Sequence, residues 1–137
     1  MSIAAAKIAT LVRCIERARA ERAEAGSSFH RDFTRQDAAI LNVMRACETA
    51  VDLANMVIRK QRLGFPGEMK ESFVLLERGR FISTELSERL QGMIGFRNIA
   101  VHQYKELDLD IVESVIADGL DDLLEFAESI RAHLMDD

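Results

Sequence analysis

Eight consecutive residues, Arg97-Asn98-Ile99-Ala100-Val101-His102-Gln103-Tyr104, bring together a permanent cation, an amide, an imidazole and the only tyrosine of the chain. Arginine presents a planar fork of donors that matches a phosphate, and histidine, with an unperturbed pKa of about 6.5, takes or gives a proton near neutrality. Cutting a ribose phosphodiester asks for such groups: a base for the 2′-hydroxyl, a cation for the charge that builds on phosphorus, and an acid for the leaving 5′-oxygen. That chemistry calls for no metal, and three histidines and two cysteines without CxxC or HxxxH spacing form no dedicated metal cage. One chain supplies one histidine to the segment. Two chains paired about a two-fold axis would supply His102 twice, one copy as base and one as acid, which predicts a composite site at a homodimer interface.

The segment closes a predicted helix that begins after a Ser83 or Thr84 cap. At 100° per residue, Leu86, Leu90, Met93, Ile94 and Val101 form one apolar stripe, and Arg97 and Tyr104 fall at its centre. An arginine in that position commonly lays its stem along the core and reaches a glutamate. Glu48 is a candidate partner: it lies between Met44 and Val51 on the inner stripe of an earlier helix, where a lone carboxylate needs a partner and could orient Arg97 or His102. The opposite face carries Gly92, Gly95, Ile99 and His102, with Asn98 one turn before His102. Glycine inside a helix costs about 0.8–1.0 kcal/mol relative to alanine, so two of them three residues apart mark either a kink or a close approach, such as a second subunit. Five residues set Arg97 and His102 about 140° apart on an uninterrupted helix. They converge only if the helix unwinds near Val101 to His102, or if arginine and histidine meet across a dimer groove.

A chain of 137 residues with 48% apolar residues and one proline is expected to form a single domain, residues 1–137, with an ample core. Apolar residues return at three and four throughout, which predicts an all-α, up-and-down four-helix-type bundle with one extra short helix. The first helix spans about Ser2 to Glu24, with Ile8, Leu11, Val12 and Ile15 on one stripe. The second starts after a Thr34 cap and carries Ile40, Leu41, Met44, Val51, Ala54 and Ile58 as far as the breaker Leu63-Gly64-Phe65-Pro66-Gly67. A short helix from about Glu68 to Arg78 presents Met69, Phe73 and Leu76, and a last helix after Asp108 aligns Val112, Ile116, Leu120, Leu123, Ala127, Ile130 and Leu134.

Charge is unevenly spread: residues 1–58 carry a net +1, residues 59–105 a net +4 and residues 106–137 a net −10. A basic middle can attract phosphate although the total is −5, while the acidic last helix reads as a solvated face. Two isolated cysteines, Cys14 and Cys47, and charges at Lys7 and Arg13 inside the first apolar stretch point to a reducing cytoplasm with no membrane span. His30 and His133 read as surface residues, and the six methionines as core filler.

The segment resembles the HEPN superfamily signature, in the RxxxxHxY form of HepT toxins. The likeness extends through ACETAVDLANMVI, LGFPGEMKESFVLLERGRF and ELSERLQGMIGFRNIAVHQYKELDLDIV, most of residues 36–112. It implies a homodimeric helical bundle acting on RNA as a metal-independent ribonuclease toxin, with no cofactor. Its partner would be a small antitoxin of the minimal nucleotidyltransferase type. Carried over, Arg97 and His102 match the catalytic pair, Asn98 the polar residue after the arginine, and Tyr104 a tyrosine that the antitoxin can modify with adenylate. A bulky anion there would repel RNA phosphate. The alternative is a non-catalytic module of the same superfamily that binds nucleotide or docks a nucleotidyltransferase.

Overall fold

The computed structural model describes residues 2–135, which form helices and short connections with no strand among them. Small residues let the two longest helices lie side by side. α1 (Ile3–Ala25) buries Ala4, Ile8, Leu11, Ile15 and Ala18, and α2 (Phe33–Gln61) meets it with a buried set that includes Ala39, Ala46, Ala50 and Ala54. α2 is also flanked by α3 (Met69–Arg78), α4 (Thr84–His102) and the C-terminal α6 (Leu120–Leu134), so it is the common wall of the bundle. The expected all-α bundle with a short extra helix is thus the fold observed.

Ends and breaks follow local chemistry. Gly26 stops α1 with a φ of 54°, its N–H returning to the carbonyls of Arg22 and Ala23. Asp32 caps α2 by accepting from the Arg35 amide at 3.0 Å, so Thr34, the expected cap, lies inside the first turn. Leu41 is not on the core stripe either: Ile40 and Val43 take the buried arc and turn Leu41 to the surface. Arg62, left-handed at φ 55°, ends α2 before the glycine–proline breaker. Ser83 caps α4, accepting from Leu86 at 3.1 Å.

The last helix is not uniform. α5 (Leu109–Ser114) leads through a π-helical turn (Val115–Gly119) into α6 without leaving helical backbone. Val112, Ile116 and Leu120 are spaced by four, and on an ideal α-helix eight residues drift about 80° past two turns. The wider π turn absorbs part of that drift, and Val112, Ile116, Leu120, Leu123, Ala127, Ile130 and Leu134 are all buried.

Gly119 stands in this turn with ordinary helical φ, so its reason is space: a Cβ there would lie 2.6 Å from Met93 Sδ of α4. Gly119→Ala is expected to cost about 1 kcal/mol net, because overpacking outweighs the gain in helix propensity. In a Met93→Ala background the same change should become stabilising. Equilibrium denaturation of the four-member cycle reads that reversal of sign.

Candidate active site

Arg97 lies where α4 leans against α2, its side chain only 18% exposed. Its Nε and Nη2 both donate to Glu48 Oε2, at 2.9 and 2.8 Å, and its Nη1 donates to Asn98 Oδ1 at 3.2 Å. A guanidinium carries five N–H groups; three are engaged, and one on each terminal nitrogen is left for a phosphate. Of the two roles read for Glu48, orienting Arg97 is the one its geometry fills. Under the pair, Cys47 is fully buried, and burial first, then the Glu48 charge, push its thiol up to about 12, only partly countered by Arg97. That sulfur donates to the Met93 carbonyl at 3.7 Å, a packing contact that holds α2 to α4.

His102 is the last residue of α4 and is exposed. α4 runs unbroken to it, and the Gln103 amide still closes onto the Ile99 carbonyl at 2.7 Å. The helix therefore does not unwind to bring His102 to Arg97, and within one chain the two side chains stay on different faces. After Gln103 the chain leaves α4 for a 3-10 turn (Tyr104–Glu106), so the placing of Tyr104 at the centre of a helical stripe does not hold. Nor does Val101 join the core; with Leu41, Met44, Ala100, Asp37 and Tyr104 it lines a surface groove. In that groove the Tyr104 hydroxyl donates to Asp37 Oδ1, from the first turns of α2. Burial first, and then the hydrogen bond to Asp37 and its charge, hold the phenol well above its ordinary pKa. Asp37 was not among the residues singled out for chemistry. The signal was there: Asp37, Leu41, Met44 and Glu48 follow at i+4, i+3 and i+4 along one stripe of α2.

The glycine face has a visitor from its own chain. Lys70 of α3 brings Nζ to 3.5 Å from where a Gly95 Cβ would stand, whereas a Cβ at Gly92 would meet nothing within 4 Å. Ile99 on that face is 44% exposed.

Elsewhere, His30 Nε2 lies 3.0 Å from Glu113 Oε2 and 3.7 Å from Asp110 Oδ1, while Arg22 holds the other Glu113 oxygen at 2.5 Å. His30, read as a bare surface residue, therefore ties the α1–α2 connection to α5. The acidic last helix is not simply solvated: Asp121 pairs with Arg19, and Asp122 and Glu125 with Arg89.

An arginine 18% exposed and anchored by a carboxylate, with two N–H groups to spare, has the donors to bind a phosphate ester, and an exposed imidazole follows five residues on. The profile of the ribonuclease HepT-like family matches residues 9–130. The mRNA nuclease HepT of Shewanella oneidensis is 47% identical over 126 residues, 92% of this chain and 94% of that protein. A toxin–antitoxin crystal structure with AMP-PNP contains a chain of the same shape, with TM-score 0.91 and 45% identity over 96% of this chain and 99% of that one. A second such structure, the tri-AMPylated HEPN toxin of Shewanella oneidensis in complex with its MNT antitoxin, gives TM-score 0.90 and 45% identity over 96% and 98%. The chain belongs to the ribonuclease HepT-like family and has the HEPN fold.

Tyr104 is the only tyrosine and the chain has no tryptophan, so its ionisation can be followed alone by phenolate absorbance. The titration should have its midpoint above the ordinary value of about 10, and Asp37→Asn should lower it. The sign for stability follows: the folded state holds this proton more tightly, so the contribution is complete below pH of about 10 and is lost as pH rises through the folded midpoint. Alkaline unfolding of Tyr104→Phe should lack that component.

Proposed function

We propose that the chain is the toxin of a toxin–antitoxin pair, an endoribonuclease that cleaves RNA without a metal at a site completed by two copies of itself. One observation carries the reading: Arg97 is clamped by Glu48 on one face of α4 while His102 stands open on another face of the same unbroken helix. A two-fold pairing along the face of Gly92, Ile99 and His102 brings both imidazoles to one groove, across which the arginine of one copy meets the histidine of the other. One His102 takes the proton of the 2′-hydroxyl, that oxygen attacks phosphorus, and the other His102 protonates the departing 5′-oxygen. Arg97 spends its two remaining N–H groups on the oxygens where charge builds, with Asn98 and Glu48 fixing its plane. The products are a 2′,3′-cyclic phosphate and a 5′-hydroxyl. The toxin–antitoxin structures of relatives support a partner of the nucleotidyltransferase type, and the tri-AMPylated relative supports Tyr104 as the residue it modifies. No described helix is long and apolar enough to cross a membrane, and the buried free thiols of Cys14 and Cys47 suit the cytoplasm this reading requires.

Purified protein incubated with tRNA and mRNA in EDTA should cut RNA and leave cyclic phosphate ends. Arg97→Ala and His102→Ala should each lower the rate by about two orders of magnitude or more while remaining folded. Tight antitoxin binding without cleavage, indifferent to His102→Ala, would favour the non-catalytic reading instead.

Ile99→Asp places a charge in the pairing face without touching Arg97 or His102. It should yield a folded monomer by light scattering, with cleavage lost together with the dimer. A monomer that still cuts RNA would remove the composite site.

A further inference from the structure

Modification of a tyrosine requires that its proton go somewhere. Tyr104 is neutral, 40% exposed, and holds its hydroxyl hydrogen on a carboxylate of its own chain, Asp37 Oδ1. The remaining walls of the groove are Leu41, Met44, Ala100 and Val101, so among its lining residues Asp37 is the one titratable group set against that hydroxyl. Two elements build the contact. Asp37 is rigidly placed, on the second turn of a helix whose start is fixed by the Asp32 cap and the Gln36 bond to the Phe29 carbonyl. Tyr104 is fixed by the 3-10 turn that ends α4.

We propose that Asp37 is the general base for transfer of a nucleotidyl group onto Tyr104, so that the toxin supplies part of the catalytic machinery of its own silencing. The proposal rests on the reading of Tyr104 as the modified residue. As the Tyr104 oxygen attacks the α-phosphorus of a nucleoside triphosphate, the new O–P bond forms and the bond to the bridging oxygen of the leaving group breaks. Pyrophosphate departs with that electron pair, and the phenolic proton passes to Asp37. Direct ionisation of Tyr104 is a poor route near neutrality, since the groove and the Asp37 charge both disfavour the phenolate. Proton transfer to a carboxylate becomes downhill once the oxygen is bonding to phosphorus, because an esterifying phenol is a strong acid. With the hydrogen directed at Asp37, the lone pairs of the oxygen are left for the exposed side, where an antitoxin can deliver the triphosphate.

The test uses the full-length chain, ATP with magnesium, and the MNT antitoxin of the Shewanella oneidensis complex, verified in parallel on its own toxin. Adenylation of Tyr104 is read by intact mass and peptide mapping across pH 6 to 9. Wild type should be modified at a rate nearly flat in pH. Asp37→Asn should be slower by about 100-fold or more at neutral pH. Its residual rate should climb about tenfold per pH unit, because the phenol must then ionise unaided. Asp37→Glu should recover part of the rate and the flat profile, while unmodified Asp37→Asn should still cut RNA, which certifies the fold. An Asp37→Asn chain modified at the wild-type rate with a flat profile would overturn the proposal and assign the base to the antitoxin. A wild-type chain left unmodified by an antitoxin active on its own toxin would overturn the modification reading itself.

Discussion

A guanidinium can serve a phosphate only if it is held still, and in this bundle the holding is done by one carboxylate. Glu48 receives two Arg97 donors on a single oxygen, across the seam where α4 lies on α2. With Arg97 largely enclosed, removal of Glu48 would leave a poorly solvated cation, whereas Glu48, 40% exposed, can be rehydrated when Arg97 is removed. Its value lies less in stability than in orientation. A free arginine would lose several rotamers on binding a phosphate, whereas this one has already given them up on folding. The rest of the fold serves that seam: Cys47 donates across it, α1 and α6 close the other sides of α2, and the α3 residues Ser72 and Phe73 tie to Asn55 of α2 and Ser87 of α4.

The antiparallel course of α2 and α4 turns this one contact into a register. Glu48 faces Arg97, and an earlier residue of α2, Asp37, faces a later one beyond α4, Tyr104. Asp37 and Glu48 are eleven residues apart on one stripe, about 16 Å along the helix axis. Asp37 lines the groove and is committed to the Tyr104 hydroxyl, while Glu48, farther along the same stripe, is committed to Arg97. His102 belongs to neither. It stands exposed as the last residue of α4.

Much of this was legible before any coordinates. The periodicity of α1 and α3, the Ser83 cap, the breaker at residues 63–67 and the partnership of Arg97 with Glu48 follow from spacing and from the cost of an unpaired charge. What failed to show has a common cause: a helical wheel assumes that the helix continues. Tyr104 was placed by a rotation that ends at His102, and the stripe drawn through Val101 reached beyond the part of α4 that α2 covers. Thr34 and Asp32 are both competent caps, and only the Gln36 bond to Phe29 settles which turn begins the helix. The π turn at Val115–Gly119 conserves the apolar row that predicts an α-helix, so pattern alone does not reveal it.

The acidic total of −5 is unevenly distributed, and many of its carboxylates lie in ion pairs on α5 and α6. Carboxylates of α5 and α6 are taken up by Arg19, Arg22 and Arg89, and Glu48 is neutralised by Arg97. The charge of Asp37 is partly satisfied by the Tyr104 hydroxyl. Esterify that oxygen with a nucleotide and the donor is gone, leaving a bare carboxylate facing a phosphodiester of the same sign across a groove with apolar walls. Like charges at such range repel, and the groove is open to solvent on the side where Tyr104 is exposed. The proposed modification would thus enlarge the side chain, and that repulsion would push it outward.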